Sequence, residues 1–252
     1  MTSKISPRWV IALVALIVAL VPLTAQDALR IRIIPAAAYS SDGSTPDGFA
    51  LGSFITALTE KTAPLGAQFE SQTALLKFIL PTPDYAASEL GDAINGYQVD
   101  IGRTDEEIAR FHIAQPVMEA ISARPDGVEL PINLNQALAF WSLLGTGVSP
   151  QFAVEFGVDG YRGLISVIPN PTTPDSYTPL AVINMGESYT ILSVSGSTAD
   201  TLNDDLKTLA VIVNTLDLNG DGDIDITPAI SPEATVEPEA TAEPEATAAV
   251  VP

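Results

Sequence analysis

The densest set of chemistry-bearing residues in the chain lies in Leu216–Pro228, "LDLNGDGDIDITP". Asp217, Asn219, Asp221, Asp223 and Asp225 place an oxygen donor at every second position, broken by Gly220 and Gly222. Carboxylate and carboxamide oxygens are hard ligands. Calcium takes roughly six to eight of them, from a loop that needs a glycine where it turns sharply. The residue types and spacing therefore describe a calcium loop with Asp217, Asn219, Asp221, Asp223 and Asp225 as metal ligands. The competing reading is a polar exit from a helix, because Asn-Gly and Asp-Gly are also favourable turn dipeptides.

Numbered from Asp217, this stretch resembles the calcium loops of the EF-hand and dockerin families. Asp217, Asn219 and Asp221 stand at positions 1, 3 and 5, Gly222 at 6, Asp223 at 7, Ile224 at 8 and Asp225 at 9. The pattern departs at position 12, where the families carry a bidentate acid and this chain has Pro228. No second loop and no exit helix follow. The resemblance implies weak calcium binding, on the order of 10⁻⁴–10⁻³ M, which suits an extracellular module.

Other constellations are thin. There is no G-x-S-x-G, G-x-x-x-x-G-K-[ST] or H-E-x-x-H. "GVDGYRG" (Gly157–Gly163) is glycine-rich but reads as a hairpin turn. The one histidine, His112, could serve as base to one of the many serines, yet it lies in a helical pattern without a partner motif. Glu155 and Asp159 could form a glycosidase pair, but among 31 acids such pairs carry little information. Of the two tryptophans, Trp9 falls in a leader segment and only Trp141 is left for a sugar platform. The absence of cysteine excludes zinc–thiolate sites, thiol nucleophiles and iron–sulfur clusters, and one histidine excludes a multi-histidine metal site within the chain.

The ends frame the part that must position the loop. Lys4 and Arg8 precede an uncharged apolar run, Trp9–Val21, then Pro22 and Ala25. Residues 1–25 have the layout of a secretory signal peptide, shorter than the roughly 20 apolar residues that span a bilayer. Contact with a membrane is expected only if this segment is uncleaved. With no cysteine and no N-x-[ST] site, it points to a secreted or extracytoplasmic protein of bacterial origin. At the other end, "PEATVE", "PEATAE" and "PEATAA" begin at Pro232, Pro238 and Pro244. Residues 229–252 offer no apolar stripe and are expected to be a disordered, semi-extended acidic tail. Such a tail either spaces the domain from a surface or protein partner or only solubilises it. The net charge of −20 excludes a nucleic-acid partner and favours a cation.

Residues 26–216 are expected to form one globular α+β domain, helices followed by a four-stranded antiparallel meander closed by an amphipathic helix. "LRIRII" (Leu29–Ile34) alternates as a first strand. Phe49–Leu80 leaves helix and strand open. Ala86, Leu90 and Ile94 fall at helical spacing, with Gly96 as a stop. Thr104 and Glu107 suggest a capping box for a helix carrying Ile108 and Phe111, continuing to Val117 and Ile121 past Pro116. Asn133–Gly145 reads as a helix with Leu134, Leu138 and Trp141 on one face. "QFAVEFGVD", "GLISVI", "PLAVINM" and "SYTILSVS" are the meander. Leu202, Leu206, Leu209, Val213 and Leu216 are the stripe of the closing helix, capped by Ser197 or Thr198. This last strand–Gly–helix unit is similar to the end of the PsbP-like αβα sandwich family, a resemblance of pattern that transfers no residue role.

Three functions follow from these readings. The first is a secreted, non-enzymatic protein with a weak, structural calcium loop at residues 217–228. The second is an extracytoplasmic ligand-binding or adhesion module with an acidic spacer and no metal. The third is a hydrolase without a linear signature.

Overall fold

A computed structural model describes residues 31–36, 51–72, 74, 76–92, 96–116, 133–186 and 188–220. The segments read above as a leader (1–25) and a tail (229–252), and most of the aspartate loop, lie outside the described residues. Among those described, no helix is long and apolar enough to cross a membrane.

The architecture is mainly β, which overturns the expected order of helices followed by a four-stranded meander. Eleven strands form a nine-stranded mixed sheet and a separate two-stranded ribbon, with three helices among the described residues. The strands are β1 (Arg32–Pro35), β2 (Gln68–Glu70), β3 (Lys77–Ile79), β4 (Tyr85–Asp92), β5 (Gly96–Arg103), β6 (Phe111–Gln115), β7 (Phe152–Val158), β8 (Tyr161–Pro169), β9 (Ser176–Asn184), β10 (Tyr189–Val194) and β11 (Ser197–Thr198). The helices are α1 (Gly52–Glu60), α2 (Leu134–Thr146) and α3 (Leu202–Asn214). Sheet order is β1-β7-β8-β9-β10-β6-β5-β4, with β11 on β9, and β2 pairs β3 alone. Strand β1 joins β7 in parallel, and the other pairings are antiparallel. The segments from Phe152 to Val194 pair successively, but as the middle of this sheet. Strands β4 and β6, where helices were expected, extend it together with β5.

Two expected helices are strands for identifiable reasons. Tyr85–Asp92 is rich in Ala, Ser, Glu and Leu, good or neutral helix formers, yet it pairs along its length with β5. Tyr85, Ala87 and Glu89 are half-buried while Ala86, Ser88 and Leu90 are exposed, a period of two hidden by small residues. Propensity is a weak prior, and cross-strand pairing outweighs it. Thr104–Arg110 is the β5–β6 connection. There Asp105 receives Arg103 at Nε (2.9 Å) and Nη2 (3.2 Å), and Ile108 is 75% exposed. Phe111, expected on a helical stripe with Ile108, is instead buried on β6. Val117 and Ile121 lie outside the described residues.

Side-chain alternation divides the interior in two. Ile165, Val167, Ala181, Ile183, Leu192 and Val194 face α1 and α3, whereas Leu164, Leu180, Val182, Tyr189 and Ile191 face α2. Burial on both faces explains why β8–β10 read as near-continuous apolar runs. Helix α2 begins with a full capping box, Asn133 Oδ1 accepting from Gln136 N (2.8 Å) and Gln136 Oε1 from Asn133 N (3.1 Å). Helix α3 buries Leu202, Leu206, Leu209, Val213 and, just beyond it, Leu216. Ser197 and Thr198 do not cap it, because they form β11 against Tyr177 and Ser176. Thr201 occupies the cap position and donates instead to Asp205 Oδ2 (2.9 Å), which also takes Arg110 Nη2 (2.6 Å).

Candidate functional site

The head of the aspartate loop is tied to the fold by strand β3 and by the β7–β8 hairpin. Thr215, at the end of α3, accepts from Ile79 N through Oγ1 (3.0 Å). Asp217 forms a two-way backbone bridge with Lys77, N to O at 2.9 Å and O from N at 3.0 Å. The Asp217 side chain is fully buried, and Oδ1 accepts from Gly220 N (2.6 Å), closing the turn. The third tie comes from the sheet. Asp159 Oδ2 accepts from Leu218 N (2.7 Å), and Oδ1 is 3.4 Å from Asn219 Nδ2.

Asp159 is in place because of the β7–β8 hairpin. Val158 pairs with Tyr161, leaving Asp159 (φ 47°) and Gly160 (φ 74°) as a two-residue turn with both φ positive. Asp-Gly suits this turn, whose twist matches that of the strands. The hairpin aims a carboxylate, 8% exposed, at positions 2 and 3 of the loop pattern. Sequence reasoning did not connect Asp159 with the loop. The two are about sixty positions apart, and only the tertiary fold joins them.

Of the five ligands read from sequence, Asp217 and Asn219 are described and lie together at the head. Asp221, Asp223 and Asp225 lie outside the described residues. Among the described residues no group of three or more His, Cys, Asp or Glu side chains could hold a metal ion. Within the loop pattern itself, the described head supplies one carboxylate and one carboxamide. Asp159 brings a second carboxylate alongside them.

The two acids read as a glycosidase pair both have other partners. Glu155 is engaged by Arg162 across the hairpin and Asp159 by the loop head.

A second polar constellation involves His112, which is on strand β6 and not on a helix. Asp100 on β5 is its cross-strand partner, and Ser193 on β10 is its neighbour on the other side. His112 Nδ1 is 2.8 Å from Asp100 Oδ1, and Nε2 is 3.1 Å from Ser195 Oγ. Gln98 Nε2 donates to the same Asp100 oxygen (2.7 Å).

Comparison with known proteins adds little to this geometry. No family model and no curated protein matches the chain. A solved structure from Bacteroides thetaiotaomicron VPI-5482 is similar over 63% of this chain and 50% of its own length, with 13% identity and a TM-score of 0.33. The chain thus spans half of that structure, and a likeness at this score carries no argument about fold or function.

Proposed function

We propose that the protein is a secreted domain whose last helix is locked by a weak, structural calcium site in the loop 217–228. The supporting observation is the seating of the loop head. Asp217 is buried and turned by Gly220, while Asp159 holds Leu218 and Asn219 from a different element. A loop whose entry is already ordered loses less conformational entropy when Asp221, Asp223 and Asp225 close on an ion. Asp159 also supplies an acid near the loop, where Pro228 stands in place of the usual last ligand. A carboxylate oxygen has more than one acceptor direction, so its bond to Leu218 N is compatible with a metal contact or with orienting Asn219.

Stabilisation is the role this geometry suits, since a single loop has no paired loop through which to transmit an opening. The test is calorimetric titration of calcium into the chain from Gln26 to Pro252. Saturable binding on the order of 10⁻⁴–10⁻³ M is expected, abolished by Asp221→Ala/Asp225→Ala. These two positions are preferred to Asp217, whose buried carboxylate has a structural part whether or not metal binds. Absence of saturable heat up to about 10 mM, an order of magnitude above the weak extracellular range, would reduce the loop to a polar exit from α3.

A further inference from the structure

We propose that Asp100, His112 and Ser195 form a solvent-accessible nucleophilic serine site acting on carboxylic esters. This goes beyond the calcium reading and does not depend on it. The three groups are linked in the order that acyl-transfer chemistry requires: carboxylate to Nδ1, Nε2 to hydroxyl.

The carboxylate settles the tautomer. An ionised Asp100 can only accept, so the 2.8 Å contact puts the imidazole proton on Nδ1. In the neutral ring Nε2 then carries a lone pair, and Ser195 is the donor at 3.1 Å. Gln98 Nε2 on the same Asp100 oxygen holds that carboxylate in place. The serine hydroxyl has two alternative acceptors, Arg110 O (3.3 Å) and Ala109 O (3.5 Å), both longer than the imidazole contact.

The fold supports access as well as linkage. Val99, Ile101, Phe111 and Ile113 face the α1/α3 core, so Asp100 and His112 lie on the opposite face of β5 and β6. Their side chains are 20% and 26% exposed. Ser195 follows the last residue of β10 in a turn completed by Gly196 (φ 68°), where it is exposed. Its amide donates to Arg110 O (2.8 Å), which fixes the backbone beneath the nucleophile.

The reaction balances with water as the second substrate. Ser195 Oγ attacks the ester carbonyl carbon while its proton passes to His112 Nε2. The C–O bond to the alcohol breaks, and that proton leaves on the alkoxide. Water then attacks the acyl-serine, gives its proton to Nε2, and the proton returns to Ser195 Oγ as the carboxylic acid departs. His112 and Ser195 are the catalytic residues, and Asp100 positions the imidazole.

The experiment is labelling of the purified full chain with a fluorophosphonate, whose phosphorus takes Oγ as fluoride leaves. Peptide mass spectrometry locates the adduct and stopped aliquots give its rate. Labelling is expected at Ser195 and absent in Ser195→Ala. General-base assistance is worth about 10²–10⁴-fold, so His112→Gln should slow the adduct by about that factor. Asp100→Asn, which retains an oxygen acceptor, should slow it at least about tenfold without moving the thermal midpoint, a rate effect that a merely structural role would not produce. Wild-type protein with no adduct at Ser195, or an adduct formed equally fast in His112→Gln, overturns the proposal. Hydrolysis of p-nitrophenyl acetate that tracks the labelling rates across the variants supports ester turnover, and labelling without turnover overturns it.

Discussion

Replacing Asp159 tests whether the hairpin carboxylate holds the end of α3. Leu218 is 1% exposed, so its amide has little access to water if Asp159 Oδ2 is lost. A buried donor left without a partner costs about 1–3 kcal/mol, and bonds to charged groups lie toward the upper part of the range. A second contribution comes from the backbone. Asp159 has φ 47°, which Asn and Gly tolerate and which costs Ala roughly 1–2 kcal/mol. Three variants separate the two effects. Asp159→Asn keeps an acceptor and the turn conformation and should lose about 1 kcal/mol, the charge assistance alone. Asp159→Gly keeps the conformation and loses the acceptor, for about 2 kcal/mol. Asp159→Ala loses both, for roughly 3 kcal/mol, a fall in midpoint of roughly 6–12 °C in a domain of this size. Thermal and urea unfolding in the presence of a chelator would measure these costs apart from any metal. A glycine variant as stable as wild type would refute the claim that the carboxylate secures the loop head. An alanine variant no worse than glycine would refute the backbone part.

Two further outcomes follow from packing and burial. A Cβ at Gly163 would lie 2.5 Å from Phe156 Cζ, and Phe156 is held edge-on by Phe54 at 5.5 Å. Gly163→Ala should therefore cost about 1–3 kcal/mol in urea unfolding, and less than that in a Phe156→Leu background, where additive costs would show that the ring is not the obstacle. Burial raises the Tyr85 and Tyr97 phenols above the usual value of 10.0. A folded pKa above the unfolded one means that their contribution is complete below about pH 10 and is lost as pH rises through the folded pKa. Tyrosinate absorbance should show a late-ionising fraction that converges with alkaline unfolding. A single transition near pH 10, with the fold intact, would contradict this.

How much could be read in advance depended on the range of the interactions involved. The apolar faces of α2 and α3 are local patterns, and Leu138, Leu206 and Val213 are placed accordingly. The β7–β8 turn is equally local, because Asp-Gly at positive φ serves the twist of its own two strands. Strand β4 was hidden because Glu89 lies on its half-buried face and Leu90 on its exposed one, so hydropathy does not mark its period of two. The pattern across Ile108 and Phe111 misled for the opposite reason: two apolar residues three apart suggested a helix, although one is in an exposed loop and the other in the core. Both polar constellations depend on register that no linear motif carries. Asp100 meets His112 only through the β5–β6 pairing, and Ser195 lies 83 positions further on. Asp159 likewise reaches Leu218 and Asn219 only across the fold.

The two proposed sites should act independently, because the sheet places them at opposite ends of its strands. Asp159 is at the β7–β8 tip, where Arg162 pairs with Asn184 and Asn184 with Tyr189, the first residue of β10. Ser195 follows the last residue of that same strand, Val194. Six residue steps at about 3.3 Å and two strand spacings of about 4.8 Å put Arg162, beside the hairpin tip, roughly 22 Å from the serine. Between them lie Ile191, Leu192 and Val194, at most 7% exposed and hydrogen-bonded into a paired strand. Such a rigid element transmits a change only if it has two arrangements for a ligand to choose between. Calcium should therefore raise the thermal midpoint while leaving the fluorophosphonate rate at Ser195 within about twofold. A tenfold change would correspond to about 1.4 kcal/mol of coupling between the sites. That result would show that the sheet responds to order at the loop head and would refute the treatment of β10 as a rigid spacer.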